Sequence, residues 1–522
     1  MVIFVFTLMS CNQSPETNIR AQLVRKSLDL RGIRPTIEEL EQVNTIQKLE
    51  DTTETFLYSE HWGRRVREQF SELYHTEFDQ FSISASTAGL DSHWDYRISL
   101  GQEPLRIVQR IAEEDLPWTE IVLSDWTMIT ETSKQFLMVE ALSEPNDDGW
   151  MVGQYTDGRP SAGVLATTGL WMRYTTTLSN ANRNRANVVS RLILCQDHLQ
   201  KPIVFDRELD LIDQEQVSAA VQNDQACIGC HSSLDPLAAH LFGFWPANIN
   251  VPLEMFVYHP DRELLYDRYL ETQPAYFGTP TSGLVDLPHF LASDPRFVEC
   301  AVEQVMGFLF KREALSVDQL AVHREAFIEG GLTLRSLYRS VLSDPLYQYG
   351  VVNEGGVDAK ILSVDQLSSA IEELTGFVWV NDEIPLLKTS VFGLRSLAGG
   401  EDGLEQLKSV DIPNPTLFLV QSRLAELAAT YALESEMLLD EAERTLYTQI
   451  DPYVDRADTD VGRKQLQRWY AQVLSLDVET HGSEIEASLK LWAELYAIEQ
   501  RSEMAWTGVL ISLFRDPLFL MY

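Results

Sequence analysis

The residues whose types and spacing could do chemistry are Cys227-Ile228-Gly229-Cys230-His231. C-x-x-C-H is the attachment signature of c-type haem, in which two thiols add across the porphyrin vinyl groups and the adjacent imidazole ligates iron from the proximal face. Residues i and i+3 of a helical turn point to one side, so the spacing predicts a helix that presents both sulfurs to one macrocycle edge. The chain holds only 5 cysteines and 10 histidines, and a chance match to the motif is expected in roughly one such sequence in a thousand. Paired thiols at this spacing also suit a thioredoxin-like redox couple, a structural disulfide or half of a zinc site. A second C-x-x-C is absent, so zinc would have to recruit histidine.

An iron held by His231 has a second axial position. Met255, Met306, His240, His259 and His289 lie downstream as candidates. Met255 is the distal candidate chosen, because Pro252 and Pro260 bracket an irregular segment of the kind that folds back over a haem. Taken singly, each of the five also reads as a core methionine or a surface histidine.

The remaining cysteines are Cys11, Cys195 and Cys300. Residues 1–11 form an apolar run ending Leu8-Met9-Ser10-Cys11, which resembles a bacterial lipoprotein signal with Cys11 as the lipidated residue; a buried N-terminal strand is the alternative. The expectation is export to the periplasm or cell surface, as an outer-membrane lipoprotein touching the membrane only through its N-terminal lipid. If lipid takes Cys11 and haem takes Cys227 and Cys230, Cys195 and Cys300 remain. An oxidising compartment favours a disulfide between them, against two buried free thiols.

These residues need a scaffold to position them. Apolar residues recur three and four apart in Gln304 to Phe310, in Leu334 to Leu342, and through Leu419, Val420, Leu424, Leu427 and Ala428, whereas period-two alternation is rare. The fold class expected is mainly α, a multi-domain helical protein with one c-type-haem-binding helical segment. A length of 522 residues implies several packed units. Pro and Gly clusters place them at 20–150 (N-terminal helical), 151–245 (haem attachment), 246–350 (small helical) and 351–522 (C-terminal helical). Leu337 to Tyr347 can be laid over Val509 to Phe519, each a helix halted at Asp before Pro. That likeness reads either as a diverged repeat or as recurrence of a common helix stop. With 78 acidic against 41 basic residues and a net charge of -37, the chain would repel phosphate backbones, so no nucleic-acid partner is expected.

Gln225 to Leu237, with Asp235-Pro236 following the motif, resembles the C-x-x-C-H-x-x-x-D-P-x-G block of the planctomycete-type cytochrome c-like surface protein family. Ala238 stands where that family has Gly, and Phe242-Gly243-Phe244-Trp245-Pro246 replaces its later acidic pattern. Leu28 to Thr36 with Glu38-Glu39 is similar to the L-D-L-x-G-x-x-P-T-x-x-E opening of a companion domain. Gly163 to Leu165 with Val188 to Cys195, and Asp286 to Cys300 with Leu334 to Leu337 and Ser343 to Pro345, resemble its other blocks. The resemblance implies an exported helical protein with one covalent haem c and no established reaction. One-electron transfer with a redox partner protein is the first function expected. A surface-attached scaffold or binding protein with structural haem, and a haem-dependent oxidoreductase or peroxidase-like enzyme, are the alternatives. Nucleotide, hydrolase-elbow and zinc-protease motifs are absent. Trp62, Trp94, Trp118, Trp126 and Trp171 are scattered enough to read as core packing rather than a sugar platform.

Overall fold

The computed structural model describes residues 19–77, 80–200, 213–245, 252–311, 317–349, 352–353, 356–357 and 359–522. Among them the chain is 59% helical, with 25 α-helices and only 5% strand; the mainly-α class is what the apolar spacing led one to expect. At the N-terminal end, α1 (Ile19–Arg31), α2 (Glu60–Tyr74) and α3 (Glu103–Glu113) pack in sequence order. Helix α3 carries Pro104 in its first turn and buries Leu105, Ile107, Val108, Ile111 and Ala112, so its inward residues fall on the turns that face α2. The indole N–H of Trp62 crosses from α2 to donate to the Ala112 carbonyl at 3.2 Å. Trp62, Trp118 and Trp171 are core residues, while Trp94 and Trp126 are half-buried beneath the guanidinium groups of Arg97 and Arg110.

A small antiparallel sheet follows, with β1 (Thr127–Ile129), β2 (Val139–Ala141) and β3 (Met151–Tyr155) in the order β1-β3-β2. Strands of three and five residues are too short to write a period-two signal, which is why the helical reading passed over them. Their turn is set by Asn146, whose side-chain oxygen accepts from the backbone of Asp148 and Trp150, and by Gly149 at φ 78°.

The central region contains α4 (Arg183–Leu194), α5 (Gln225–Ala239) and α6 (Pro295–Phe310), with α4 packed against both of the others. Next come α7 (Val317–Glu329), α8 (Leu334–Leu342) and α9 (Pro345–Tyr349). The C-terminal helices used below are α10 (Val364–Thr375), α11 (Pro415–Glu436), α12 (Asp460–Leu474), α13 (Ser483–Glu499), α14 (Ser502–Phe514) and α15 (Pro517–Leu520). The apolar face expected on α11 needs one correction. Leu417, Val420, Leu424 and Ala428 are buried, Leu427 is half-buried, and Leu419 is 70% exposed. Starting the count at Leu417 rather than Leu419 restores the spacing of three and four.

The two Asp-Pro stops have the same local build. Asp344 accepts from the Leu346 N–H at 2.7 Å and Asp516 from the Leu518 N–H at 2.8 Å, each capping the short helix that its proline begins. The C-terminal residue packs back onto α1: Lys360 and Tyr522 exchange backbone hydrogen bonds, and the Tyr522 hydroxyl donates to Asp29 at 2.9 Å. One hydrophobic core runs from Leu23 to Leu520, and a smaller second one gathers around Phe81, Tyr96 and Phe256.

Candidate functional site

The motif lies wholly on α5. The helix begins with the Asp224 carbonyl accepting from the N–H groups of Cys227 and Ile228 at 3.0 and 2.9 Å. Cys227 and Cys230 are therefore one turn apart on one side of the helix, both half-buried and neither in a disulfide. Pro236 sits inside α5, where its missing N–H takes one rung from the helical ladder just beyond the motif.

His231 is oriented by its own helix. Its Nδ1 lies 2.9 Å from Asp235 Oδ1, one turn further on. Asp235 is in turn gripped from α4, where Arg183 places Nε 2.7 Å from Oδ1 and Nη2 2.9 Å from Oδ2. Burial works against a charge on Asp235, but the hydrogen bonds from His231 and Arg183 outweigh it and hold the carboxyl below its ordinary range. An ionised carboxylate only accepts, so Nδ1 is the nitrogen that carries the proton and a neutral imidazole keeps its lone pair on Nε2. Among the described residues Nε2 makes no hydrogen bond, and the side chain is 25% exposed.

This donor set fits a covalently attached haem. Such a group asks the protein for two thiols on one helical face and an imidazole whose inner nitrogen is held by an acceptor so that its outer nitrogen is available. Cys227, Cys230 and His231 meet those terms. Among the described residues no group of three or more His, Cys, Asp or Glu side chains is gathered to chelate a metal ion. A zinc half-site at the two thiols would have to draw its other ligands from elsewhere.

The five downstream candidates for the second axial position are dispersed. Met255 packs onto the second core beside Phe256, whereas Leu234 and Leu237 of α5 belong to the main core. Met306 is fully buried on α6. His240 has both ring nitrogens engaged, Nδ1 with the Leu237 carbonyl at 3.1 Å and Nε2 with the Thr281 hydroxyl at 2.7 Å. His259 Nε2 meets the Glu254 carbonyl at 3.0 Å, and His289 is exposed. Cys11 lies outside the described residues.

Two supports brace the motif from the upstream side. Cys195, in the left-handed conformation that ends α4, is joined by a disulfide to Cys300 of α6, with Cα atoms 5.1 Å apart. Nearly three turns before Cys195, Arg185 is buried without a carboxylate. Its guanidinium donates to the carbonyls of Tyr174, Phe244 and Trp171 at 2.8, 3.0 and 3.3 Å and to Asn182 Oδ1 at 3.2 Å. Burial lowers its pKa to about 9. Phe244 follows α5 directly, so this cation ties the chain leaving the motif helix to α4 and to the segment around Trp171. The motif marks Cys227, Cys230 and His231 from sequence alone, and an acidic residue four after the motif histidine is the signal for the role of Asp235. Arg183 gave no such signal, since its pairing depends on how α4 meets α5. No protein-family model, curated protein or solved structure matches the chain.

Proposed function

We propose that the chain is an exported c-type-haem protein that exchanges single electrons with a partner protein. Cys227 and Cys230 would carry the haem through thioethers, each formed by addition of S–H across a vinyl group with nothing leaving, and His231 would ligate the iron through Nε2. The bound haem supplies one-electron exchange at its iron. The observation that supports this reading is the pairing of two same-side thiols with an imidazole whose Nδ1 is held by Asp235. Helix α5 presents the three groups, Asp235 fixes the ring, and Arg185 and the Cys195–Cys300 disulfide hold the surrounding helices.

Haem attachment of this kind takes place outside the cytoplasm, which agrees with tethering through a lipid on Cys11 in the periplasm or at the cell surface. No helix among the described residues is long and apolar enough to cross a membrane. The burial of Met306 and the hydrogen bonds on both ring nitrogens of His240 favour a haem-dependent oxidoreductase as the second reading, since open coordination suits peroxide chemistry. A surface scaffold with structural haem is the third. Production in a host with haem-attachment machinery tests the proposal. A denatured mass carrying one haem, lost in Cys227→Ala/Cys230→Ala, is expected, together with a reversible one-electron titration of a six-coordinate spectrum. A haem-free mass overturns the proposal, a five-coordinate iron that consumes peroxide replaces the carrier with the enzyme, and a haem that cannot be reversibly reduced leaves the scaffold.

A further inference from the structure

We infer that Arg183 on α4 is a positioning residue that sets the reduction potential of the haem through Asp235 and His231, an inference that rests on the haem reading above. The geometry behind it is a shared oxygen. Asp235 Oδ1 accepts from both Arg183 Nε at 2.7 Å and His231 Nδ1 at 2.9 Å, while Oδ2 takes Arg183 Nη2 at 2.9 Å. Arg183 is itself anchored by a third bond, from Nη1 to the Ser179 carbonyl at 3.3 Å. The Asp235 side chain is 10% exposed and that of Arg183 22%, so water does little to dilute the contact.

A carboxylate on Nδ1 pulls the imidazole toward imidazolate character and makes Nε2 a stronger donor to ferric iron, which lowers a haem's potential. A guanidinium on the same oxygen draws electron density away from the Nδ1 contact and relieves part of that pull. The fork geometry matters, because it engages both carboxylate oxygens at once and thereby fixes the plane in which Oδ1 meets the imidazole. The potential is then a property of how α4 lies on α5, not of the motif alone. A plain Coulomb effect of the guanidinium on the iron's charge would act independently of Asp235, which gives the two explanations different consequences.

The test uses the haem-loaded chain and potentiometric titration of four proteins: wild type, Arg183→Gln, Asp235→Asn and the double variant. The expected result is a downward shift for Arg183→Gln, an upward shift for Asp235→Asn, and no further change when Arg183→Gln is added to Asp235→Asn. An Arg183→Gln shift of equal size in both backgrounds, or none in either, overturns the inference. A second readout needs no haem. In the 15N–1H spectrum of the haem-free chain, His231 should be the Nδ1–H tautomer in wild type and a mixture in Asp235→Asn; a wild-type mixture overturns the inference. A wild-type chain that accepts no haem overturns the reading beneath it, whereas a loaded chain whose potential ignores Arg183 overturns this inference alone.

Discussion

Cys195 and Cys300 are 105 residues apart in the chain and bonded in space, tying the end of α4 to the middle of α6. The chain-entropy account of such a cross-link gives about 4.7 kcal/mol for a loop of roughly a hundred residues, and native disulfides of small domains contribute about 2–5 kcal/mol. Cys195→Ala/Cys300→Ala should therefore lose about 2–4 kcal/mol in urea unfolding, with a larger m-value because the uncrosslinked unfolded chain exposes more surface. The Gln304 amide, which donates to the Leu192 carbonyl at 2.8 Å, keeps the two helices in register without the sulfurs. A loss under about 0.5 kcal/mol, within the range of ordinary surface substitutions, would show that α4 and α6 need no covalent tie.

His240 predicts an acid limit to stability. It closes α5 against Thr281, and burial lowers its pKa to about 4 from an ordinary 6.5. Between those values the unfolded chain binds a proton that the folded chain refuses, so this contribution is complete above pH 6.5 and is lost as pH falls toward 4. A depression of this size corresponds to at most about 3 kcal/mol. Unfolding free energies of wild type and His240→Asn should therefore converge by about that amount across the window as pH falls. Parallel curves would mean that His240 charges without cost in the folded state.

What could be read from the sequence, and what could not, divides along physical lines. Helices announce themselves through spacing, as in α6 and α8, and the error on α11 is one of phase: Leu419 is apolar, yet it lies off the face set by Leu417, Val420 and Leu424. The strands β1 to β3 were hidden because so few residues carry no period. Cys227, Cys230 and His231 were visible because attachment chemistry demands that spacing, and Asp235 was half-visible because helical geometry carries a residue four places on to the same face. Arg183 and Arg185 were invisible, since what they do is decided by tertiary packing. The Asp-Pro stops at 344 and 516 were legible as local signals, and both are capped as such signals require.

Arg185 carries the next expectation. A buried cation facing carbonyls, an amide and the Trp171 ring has no anion to neutralise it, and its value is the set of bonds it makes to Tyr174, Trp171 and Phe244. Arg185→Met would spare the desolvation of a charge but strand those carbonyls, each of which costs about 1–3 kcal/mol when left buried and unmet. A net destabilisation of about 2–4 kcal/mol is expected, with faster amide exchange in residues 238–245 at the end of α5. Exchange that speeds up equally throughout the chain would remove the local bracing role.

The last expectation concerns Asp29, buried where α1 meets Lys360 and the C-terminal Tyr522. It accepts from Lys360 Nζ at 2.6 Å, Tyr347 at 2.8 Å and Tyr522 at 2.9 Å. Burial lowers Lys360 to about 7 from 10.5 even though Asp29 pulls the other way. Asp29 itself stays below its ordinary value, because Lys360, Arg25 and its hydrogen bonds overcome its own desolvation. Removing one partner of a buried pair typically costs about 3–5 kcal/mol, and Lys360→Met should approach the lower figure at pH 7 because two phenols still reach Asp29. The pH dependence has a definite sign. Between 7 and 10.5 the unfolded chain holds the lysine proton more tightly than the folded one, so this group adds stability as pH rises through that range. From pH 7 to 9, wild type should gain about 2 kcal/mol relative to Lys360→Met in denaturant unfolding. A wild-type advantage that stays flat over the same range would mean that Lys360 remains fully charged beside Asp29, and that attraction within the pair offsets its burial.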